Sequence, residues 1–247
     1  MGLLDWFGKG KGEAPVSKSA RDVARYARLV ESKLSQDYDR QDAIEQLGKL
    51  GTAASCEALL KRFNWSMDPS ITDQDEKESA ARGIIAAGKV ALEPLRAYCK
   101  RAESLTWPLK ILKEIVEPAH YVEELLAALD QFDTEYLRNP EPKIQLLGAL
   151  SEHPTEDVRV ALLPFVQDVS EPVRYAAVVA VLAIDNAASA EALVAGIEHE
   201  ESLRVKNRVA SGLAEKGWPV PLELREACAD SLPPGFRLVG EFVRANS

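Results

Sequence analysis

The stretch "EPVRYAAVVAVLAID", residues Glu171–Asp185, carries the clearest helical pattern of this chain. Its apolar side chains recur at i, i+4, i+7, i+8 and i+11, which places them on one stripe of an α-helix: Val173, Ala177, Ala180, Val181 and Ile184. Pro172 suits the first helical turn, where a missing N–H removes no helical hydrogen bond. The stretch therefore predicts a helix that is apolar around much of its circumference.

The same stripe returns along the chain. Thirty-two positions onward, the places of Val173, Ala177, Ala180 and Val181 are taken by Val205, Val209, Gly212 and Leu213. Earlier stripes at i, i+3, i+6 are Ile44/Leu47/Leu50, Ala81/Ile84/Ala87, Leu109/Leu112/Ile115 and Ile144/Leu147/Leu150. Each is followed by a break and a second apolar-striped helix, which gives six helical pairs at a period of roughly 30 to 37 residues. This pattern predicts a stacked α-solenoid, with a plain helical bundle as the open alternative.

Composition agrees with an all-α fold. The chain has 247 residues, of which 46% are hydrophobic and 28% charged, as is typical of a soluble, packed protein. Aromatic residues make up only 6%, and Ala and Leu recur with Glu and Arg, which favours helix over strand. No apolar run approaches the roughly 18 to 20 residues that cross a bilayer, and the N-terminus does not read as a signal peptide. We therefore expect a cytoplasmic protein.

Two stretches resemble a known family. "EPVRYAAVVAVLA" resembles the first helix of a HEAT repeat, and "LGKLGTAASCEALL" resembles the bilin-lyase-type HEAT-like repeat. The resemblance covers about residues 37–227, and the whole pattern is similar to uncharacterised bacterial HEAT-repeat proteins. It implies a solenoid whose second helices line the concave face, where polar residues would contact a partner: Glu57, Lys61, Arg96, Glu123, Glu191 and Glu223.

The ends of a stack must cover an apolar face, and both ends carry a candidate cap. Residues 1–18 are predicted to be a flexible leader, and residues 19–247 one solenoid domain. Within that domain we expect an N-terminal capping helix over residues 19–36, the repeats over 37–230, and a C-terminal cap over 231–247. The C-terminal cap is predicted to be a short helix after the Pro-Pro-Gly sequence, with an apolar stripe of Phe236, Val239 and Val243.

No catalytic, cofactor-binding or metal-binding residue is predicted. The three histidines lie in different repeats, and none has the i, i+4 spacing of a helical metal site. HEAT-like deoxyhypusine hydroxylases carry repeated His-Glu pairs, whereas this chain has one, His199-Glu200, which we expect at an exposed helix end. The three cysteines are far apart in sequence and are expected as buried apolar residues. A non-enzymatic protein is therefore predicted.

The charge distribution bears on the partner. The chain carries a net charge of −9, whereas residues 1–28 have six bases and three acids, so the remaining residues carry −12. This negative body repels phosphate backbones and argues against nucleic acid as the partner. We expect a protein partner with a basic or mixed-charge surface.

The stretch "NWSMDPSITDQDEKE", residues 64–78, is predicted to be a long connection in a fold that prefers short ones. It holds apolar residues Trp65, Met67 and Ile71 beside acidic residues that include Asp73. One interpretation is a partner-binding loop with an aromatic anchor and an acidic rim. The other is a loop whose Trp65 and Ile71 lie buried under the stack.

The N-terminal stretch "MGLLDWFGKGKG" is the second candidate. Leu3, Leu4, Trp6 and Phe7 are unusually apolar for a tail and are followed by two lysines. Four interpretations stay open: the segment docks in a partner groove, contacts an anionic membrane weakly, folds back on the first repeat, or is disordered.

The function predicted from the sequence is a protein–protein interaction scaffold or adaptor. Its partner would bind on the concave helix face, at residues 64–78, or at both. Two alternatives stay open. One is an enzyme or enzyme helper of the bilin-lyase or HEAT-like DNA glycosylase type, and the other is a scaffold recruited to the membrane surface through residues 1–12.

Overall fold

A computed structural model describes residues 18–246, and this part of the chain is helical apart from one small sheet. Within it lie thirteen α-helices: α1 (Lys18–Glu31), α2 (Asp37–Leu50), α3 (Ala53–Leu60), α4 (Ser70–Ala87), α5 (Leu92–Cys99), α6 (Thr106–Ile115), α7 (Pro118–Leu129), α8 (Glu141–Ser151), α9 (Glu156–Leu162), α10 (Glu171–Ile184), α11 (Ala190–His199), α12 (Leu203–Lys216) and α13 (Arg225–Ser231). Short 3₁₀ turns follow α3, α4 and α9 and precede α11 and α13. Helices are present at all six predicted pairs. Among residues 18–246, no helix is both long and apolar enough to cross a membrane.

The chain divides into two compact units at residues 95 and 96. In the first unit α2 and α4 pack side by side, and α3 packs against α1, α2 and α4. Glycines allow the close approach of α2 and α4, because a Cβ on Gly83 would lie 3.0 Å from the Cα of Gly48. The predicted N-terminal helix over residues 19–36 is present as α1, which covers α2 and α3.

In the second unit the first helices of successive pairs, α8, α10 and α12, lie side by side. Helix α10 is in contact with helices on both sides, which is why its sequence is so apolar. Its neighbours approach closely, since a Cβ on Gly212 of α12 would lie 2.3 Å from Cδ1 of Leu182. The second helices follow on the same pattern, with α7 against α8 and α9, and α11 against α12 and α13.

Local sequence signals fix where these helices begin and end. The side chains of Thr52, Thr155 and Ser202 accept a hydrogen bond from the backbone N–H three residues on, as N-caps. Gly51 and Gly217 directly follow α2 and α12, and their positive φ values of 56° and 63° favour glycine.

The predicted long loop over residues 64–78 is wrong in its extent. Helix α4 begins at Ser70, so the connection is limited to Trp65–Pro69, and Ile71 and Asp73 are helical. The helix begins directly after Pro69, whose extended backbone (ψ 148°) serves as the N-cap. Polar residues at the start of the helix hid its N-terminus from the sequence pattern.

The predicted C-terminal capping helix is also wrong. Residues 236–245 form an antiparallel hairpin of β1 (Phe236–Val239) and β2 (Phe242–Ala245), with Val239 opposite Phe242. Gly240 has a φ of 63° in the tight turn between the strands. The hairpin still covers the end of the second unit, because β2 packs on α12 and the side chain of Val243 is fully buried.

Candidate protein-binding surface

Buried ion pairs hold the connections between successive pairs in the second unit. Lys143 Nζ lies 2.8 Å from Asp168 Oδ2, and the two side chains are 2% and 0% exposed. One repeat on, Arg174 Nε lies 2.7 Å from Glu200 Oε2. In both pairs the base lies in the first turns of a first helix, and the acid lies just after the second helix of the same pair. Each connection is thereby fixed to the helix that begins its own repeat.

The same carboxylates also organise the backbone that follows them. Asp168 Oδ1 accepts a hydrogen bond from Ser170 N (2.8 Å), and Glu200 Oε1 accepts one from Ser202 N (2.7 Å). The guanidinium of Arg174 also donates to the carbonyl oxygens of Asp168 and Val169. These bonds make the connections rigid.

The charge state of Glu200 follows from these contacts. Burial acts to raise the pKa of this carboxyl group, but hydrogen bonds from Arg174 and Ser202 outweigh burial, and the pKa lies below its ordinary value. The pKa of Arg174 is raised by the hydrogen bond to Glu200. The pair is therefore fully ionised at neutral pH. The sequence prediction of an exposed His199-Glu200 helix end holds for His199 and is wrong for Glu200, which is 7% exposed.

We name the connecting segments, residues 130–140, 163–170 and 200–203, the junction edge. An apolar groove of about 670 Å³ opens on it between the C-terminal end of α7 and the turn after α9. Its apolar lining is Leu126, Ala127, Leu129, Phe132, Ala161, Pro164 and Phe165. Asp130 and Asp133, both exposed, also line it. A groove with an apolar floor and a carboxylate rim suits an apolar side chain that neighbours a basic one.

A second, polar groove of about 440 Å³ lies further along the same edge. Asp168, Arg174, Glu200, His199 and Glu201 all line it, so this is where an enzyme of this fold would find converging polar groups. The first three are already bonded to one another or to the backbone. Among residues 18–246, no group of three or more His, Cys, Asp or Glu residues is arranged to hold a metal ion.

The predicted anchor Trp65 lies inside the first unit and is 9% exposed. The guanidinium of Arg62 stacks 3.9 Å from its ring centroid, and that of Arg40 lies 5.3 Å away. Its Nε1 has no hydrogen-bond partner among the described residues. The structure therefore agrees with the interpretation of a buried Trp65, whereas Ile71, which that interpretation also buried, is 74% exposed.

Met67 and Asp73 belong to a charge network beside this ring. Glu76, which is 2% exposed, binds both Arg40 and Arg62, while Asp73 binds Arg62 and Lys77. Met67 is held by its N–H to Asp73 Oδ1 and by its sulfur, which accepts a bond from Arg40. Burial acts to raise the pKa of Asp73, but the bonds from Lys77 and Arg62 outweigh it and the pKa is lowered. These residues connect α2, the 3₁₀ turn after α3, and α4.

The residues predicted on the second helices are distributed along separate elements. Arg96 of α5 forms a bidentate ion pair with Glu124 of α7, and this bond lowers the pKa of Glu124. Glu123 and Glu191 are exposed on α7 and α11. The predicted leader residues Leu3, Leu4, Trp6 and Phe7 lie outside the described residues, and their proposed contacts stay predictions.

The cysteines are held as thiols. Burial raises the pKa of Cys56 to about 11 and that of Cys99 to about 12, and it also raises the pKa of Cys228. At neutral pH these groups are protonated, and a thiol is a far weaker nucleophile than a thiolate.

Comparison with known proteins adds little. No protein-family model matches this chain, and no curated protein matches it significantly. Among solved structures, it is similar to the crystal structure of an engineered protein, at 18% identity over 85% of each chain with a TM-score of 0.32. A likeness at that level carries no argument about the function or fold of this chain.

Proposed function

We propose that this chain is a non-enzymatic scaffold of the HEAT-like α-solenoid type, which acts in the cytoplasm and binds a partner protein. The solenoid interpretation is supported by the side-by-side packing of successive first helices, α2 with α4 in the first unit and α8, α10 and α12 in the second. The observation that carries the binding function is the apolar groove of the junction edge.

The groove has the features of a protein-binding surface. Ala127 and Ala161 contribute to the apolar floor of the groove. Binding is favourable when a partner side chain covers this floor and removes it from water. The carboxylates of Asp130 and Asp133 favour a basic residue beside that side chain. The rigid connections around the groove reduce the ordering that binding requires. A partner segment with an apolar residue next to a lysine or arginine fits these requirements.

The test is capture of the partner by crosslinking in native extract, with the full chain as bait. Ala161→Arg fills the groove and places a positive charge in it, while Ala183→Arg places the same side chain on the exposed surface of α10 as the matched control. We expect a protein captured by the wild type to be retained by Ala183→Arg and lost by Ala161→Arg, with unchanged circular dichroism for all three. Equal capture by the two variants, or no protein captured by the wild type, would contradict the proposal.

A further inference from the structure

The apolar groove of the junction edge has a wall that is fixed by hydrogen bonds. This wall is the connection that follows α7, and two bonds hold it in place. Lys143 Nζ donates to the carbonyl oxygen of Glu135 (2.9 Å), and Val169 N donates to that of Thr134 (3.0 Å), a residue that lines the groove. A wall fixed in this way loses little conformational entropy when a ligand binds.

The rim of the groove carries carboxylates that are available to a basic ligand. The residues that line the groove include two exposed acids, Asp130 and Asp133, and no base. Neither acid forms an ion pair with another residue in the described range 18–246. Asp133 Oδ1 accepts a hydrogen bond from Glu135 N (3.1 Å), which orients the carboxylate and leaves its second oxygen for a further donor.

The floor of the groove suits an aromatic ligand. Phe132 is half-buried and Phe165 is 5% exposed, and both rings line the groove beside aliphatic side chains. Aromatic rings pack favourably on one another beyond the effect of buried area, and tryptophan is a frequent anchor in protein interfaces. The best-suited ligand is therefore an aromatic anchor with a basic residue close behind it.

The N-terminal segment of this chain has that composition, and it precedes the described residues. Four of the five side chains in "LLDWF", residues 3–7, are large and apolar, and they include one of the four tryptophans and one of the six phenylalanines of the chain. Lys9 and Lys11 follow the aromatic pair, whereas the single acid of residues 3–12, Asp5, precedes it. The ten residues between Phe7 and α1 span at most about 36 Å when extended.

We propose that the apolar groove of the junction edge binds the chain's own N-terminal segment, residues 3–11. The aromatic pair of the segment covers the apolar floor, and Lys9 and Lys11 pair with the two carboxylates of the rim. This inference rests on the proposed scaffold function, because it assigns a ligand to the same groove. A partner protein must then displace the segment in order to bind.

The probe is a fluorescein-labelled peptide of residues 1–12, titrated with the full-length protein and followed by fluorescence anisotropy. The protein carries Trp6→Ser and Phe7→Ser, so that its own segment does not compete. Because the peptide is a separate molecule, the measurement does not depend on which copy of the chain supplies the segment. One control peptide carries the same two serines, and another carries Lys9→Glu and Lys11→Glu.

We expect each control peptide to bind about tenfold more weakly than the unchanged peptide. The affinity of the unchanged peptide should also fall as salt is raised, because exposed charges contribute to it. No binding, or equal affinity of the three peptides, overturns the proposal.

Protein variants locate the site. Ala161→Arg should weaken peptide binding at least about tenfold, while Ala183→Arg, on the exposed surface of α10, should leave it unchanged. Asp130→Asn removes one charge of the rim with little change of shape and should weaken binding about threefold. Its matched control is Asp230→Asn, because Asp230 is exposed in α13 and does not line the groove. Circular dichroism checks the fold of all four, and either variant that matches its own control overturns the proposal.

A membrane is the competing ligand of this segment. Binding of the peptide to vesicles of phosphatidylcholine and phosphatidylserine, without binding to the protein, overturns the proposal. The scaffold function is judged separately by partner capture. A partner that is lost from Ala161→Arg, together with a peptide that does not bind, leaves that function standing and rejects this inference. Peptide binding with no captured partner has the reverse meaning.

Discussion

The ion pair of Lys143 and Asp168 provides the sharpest test of how the junction edge is held. Lys143→Met removes the ammonium group that donates to Asp168 Oδ2 (2.8 Å) and to the carbonyl oxygen of Glu135 (2.9 Å). Asp168 is then left buried with one remaining donor, the N–H of Ser170. Breaking a buried pair by removing one partner costs about 3–5 kcal/mol. Because the Ser170 bond is retained, we expect a loss near the lower limit, about 3 kcal/mol.

The measurement is urea unfolding followed by far-UV circular dichroism, with the free energy of unfolding compared at unchanged m-value. Lys113→Met is the matched control. Lys113 Nζ lies 3.8 Å from Glu152, and these side chains are 60% and 66% exposed. An exposed pair of this kind contributes about 0–1 kcal/mol. The two variants remove the same group in the same unit and differ in burial.

The double variant Lys143→Met/Asp168→Leu completes the test. Replacing both partners of a buried pair with apolar residues leaves no uncompensated charge, so it should recover most of the loss seen in Lys143→Met. A loss of stability in Lys143→Met no larger than that in Lys113→Met would contradict a buried, stabilising role of the Lys143–Asp168 pair. A double variant less stable than Lys143→Met alone would contradict it as well.

Three further predictions follow from packing and charge. Gly212→Ala should destabilise the protein by about 1–3 kcal/mol in thermal unfolding, because the new Cβ would overlap Leu182. Gly148→Ala is the matched control: no atom lies within 4 Å of its new Cβ, so it should stabilise the protein by about 0.5–1 kcal/mol. The pKa of Glu200 is lowered in the folded state, so its contribution to stability is complete above the unfolded pKa and is lost as pH falls through the folded pKa. The urea concentration at the unfolding midpoint should therefore decrease when the pH is lowered below about 4. Arg174→Gln should make this decrease smaller. Arg62→Met should destabilise the first unit by about 3 kcal/mol, measured by urea unfolding, because it leaves the buried carboxylate of Glu76 with one guanidinium instead of two.

The helical pairs could be predicted because their signal is local. In α10 and α12 the apolar spacing, the proline or serine at the start and the glycine at the end of α12 all lie within one helix length of sequence. The prediction at the C-terminus was wrong because the local apolar pattern there fits both a helix and a strand. Phe236, Val239 and Val243 fit a helical stripe, but Phe236 and Leu238 also alternate with exposed residues, as in a strand. The glycines at 235 and 240, with φ of 102° and 63°, decide between the two readings.

The candidate site could be predicted only in part, because its contacts are not local. The environment of Trp65 depends on Arg40, which is 25 residues away in sequence. The local sequence shows only a tryptophan among acidic residues, whereas the fold places the guanidinium groups of Arg40 and Arg62 beside its ring. The buried pairs of the junction edge had a signal that hydrophobic periodicity does not contain. A base precedes an acid by 25 residues for Lys143 and Asp168, and by 26 for Arg174 and Glu200.

The buried pairs and the proposed binding surface are two parts of one arrangement. Ionised groups inside a protein rarely stabilise it more than apolar residues would. We therefore attribute to Lys143 and Asp168 a role in fixing local geometry rather than in raising stability. What the two buried pairs fix is the path of the connections that line both grooves. A surface whose segments are fixed before the partner arrives loses little conformational entropy on binding. The same bonds keep Asp168, Arg174 and Glu200 engaged with the protein itself.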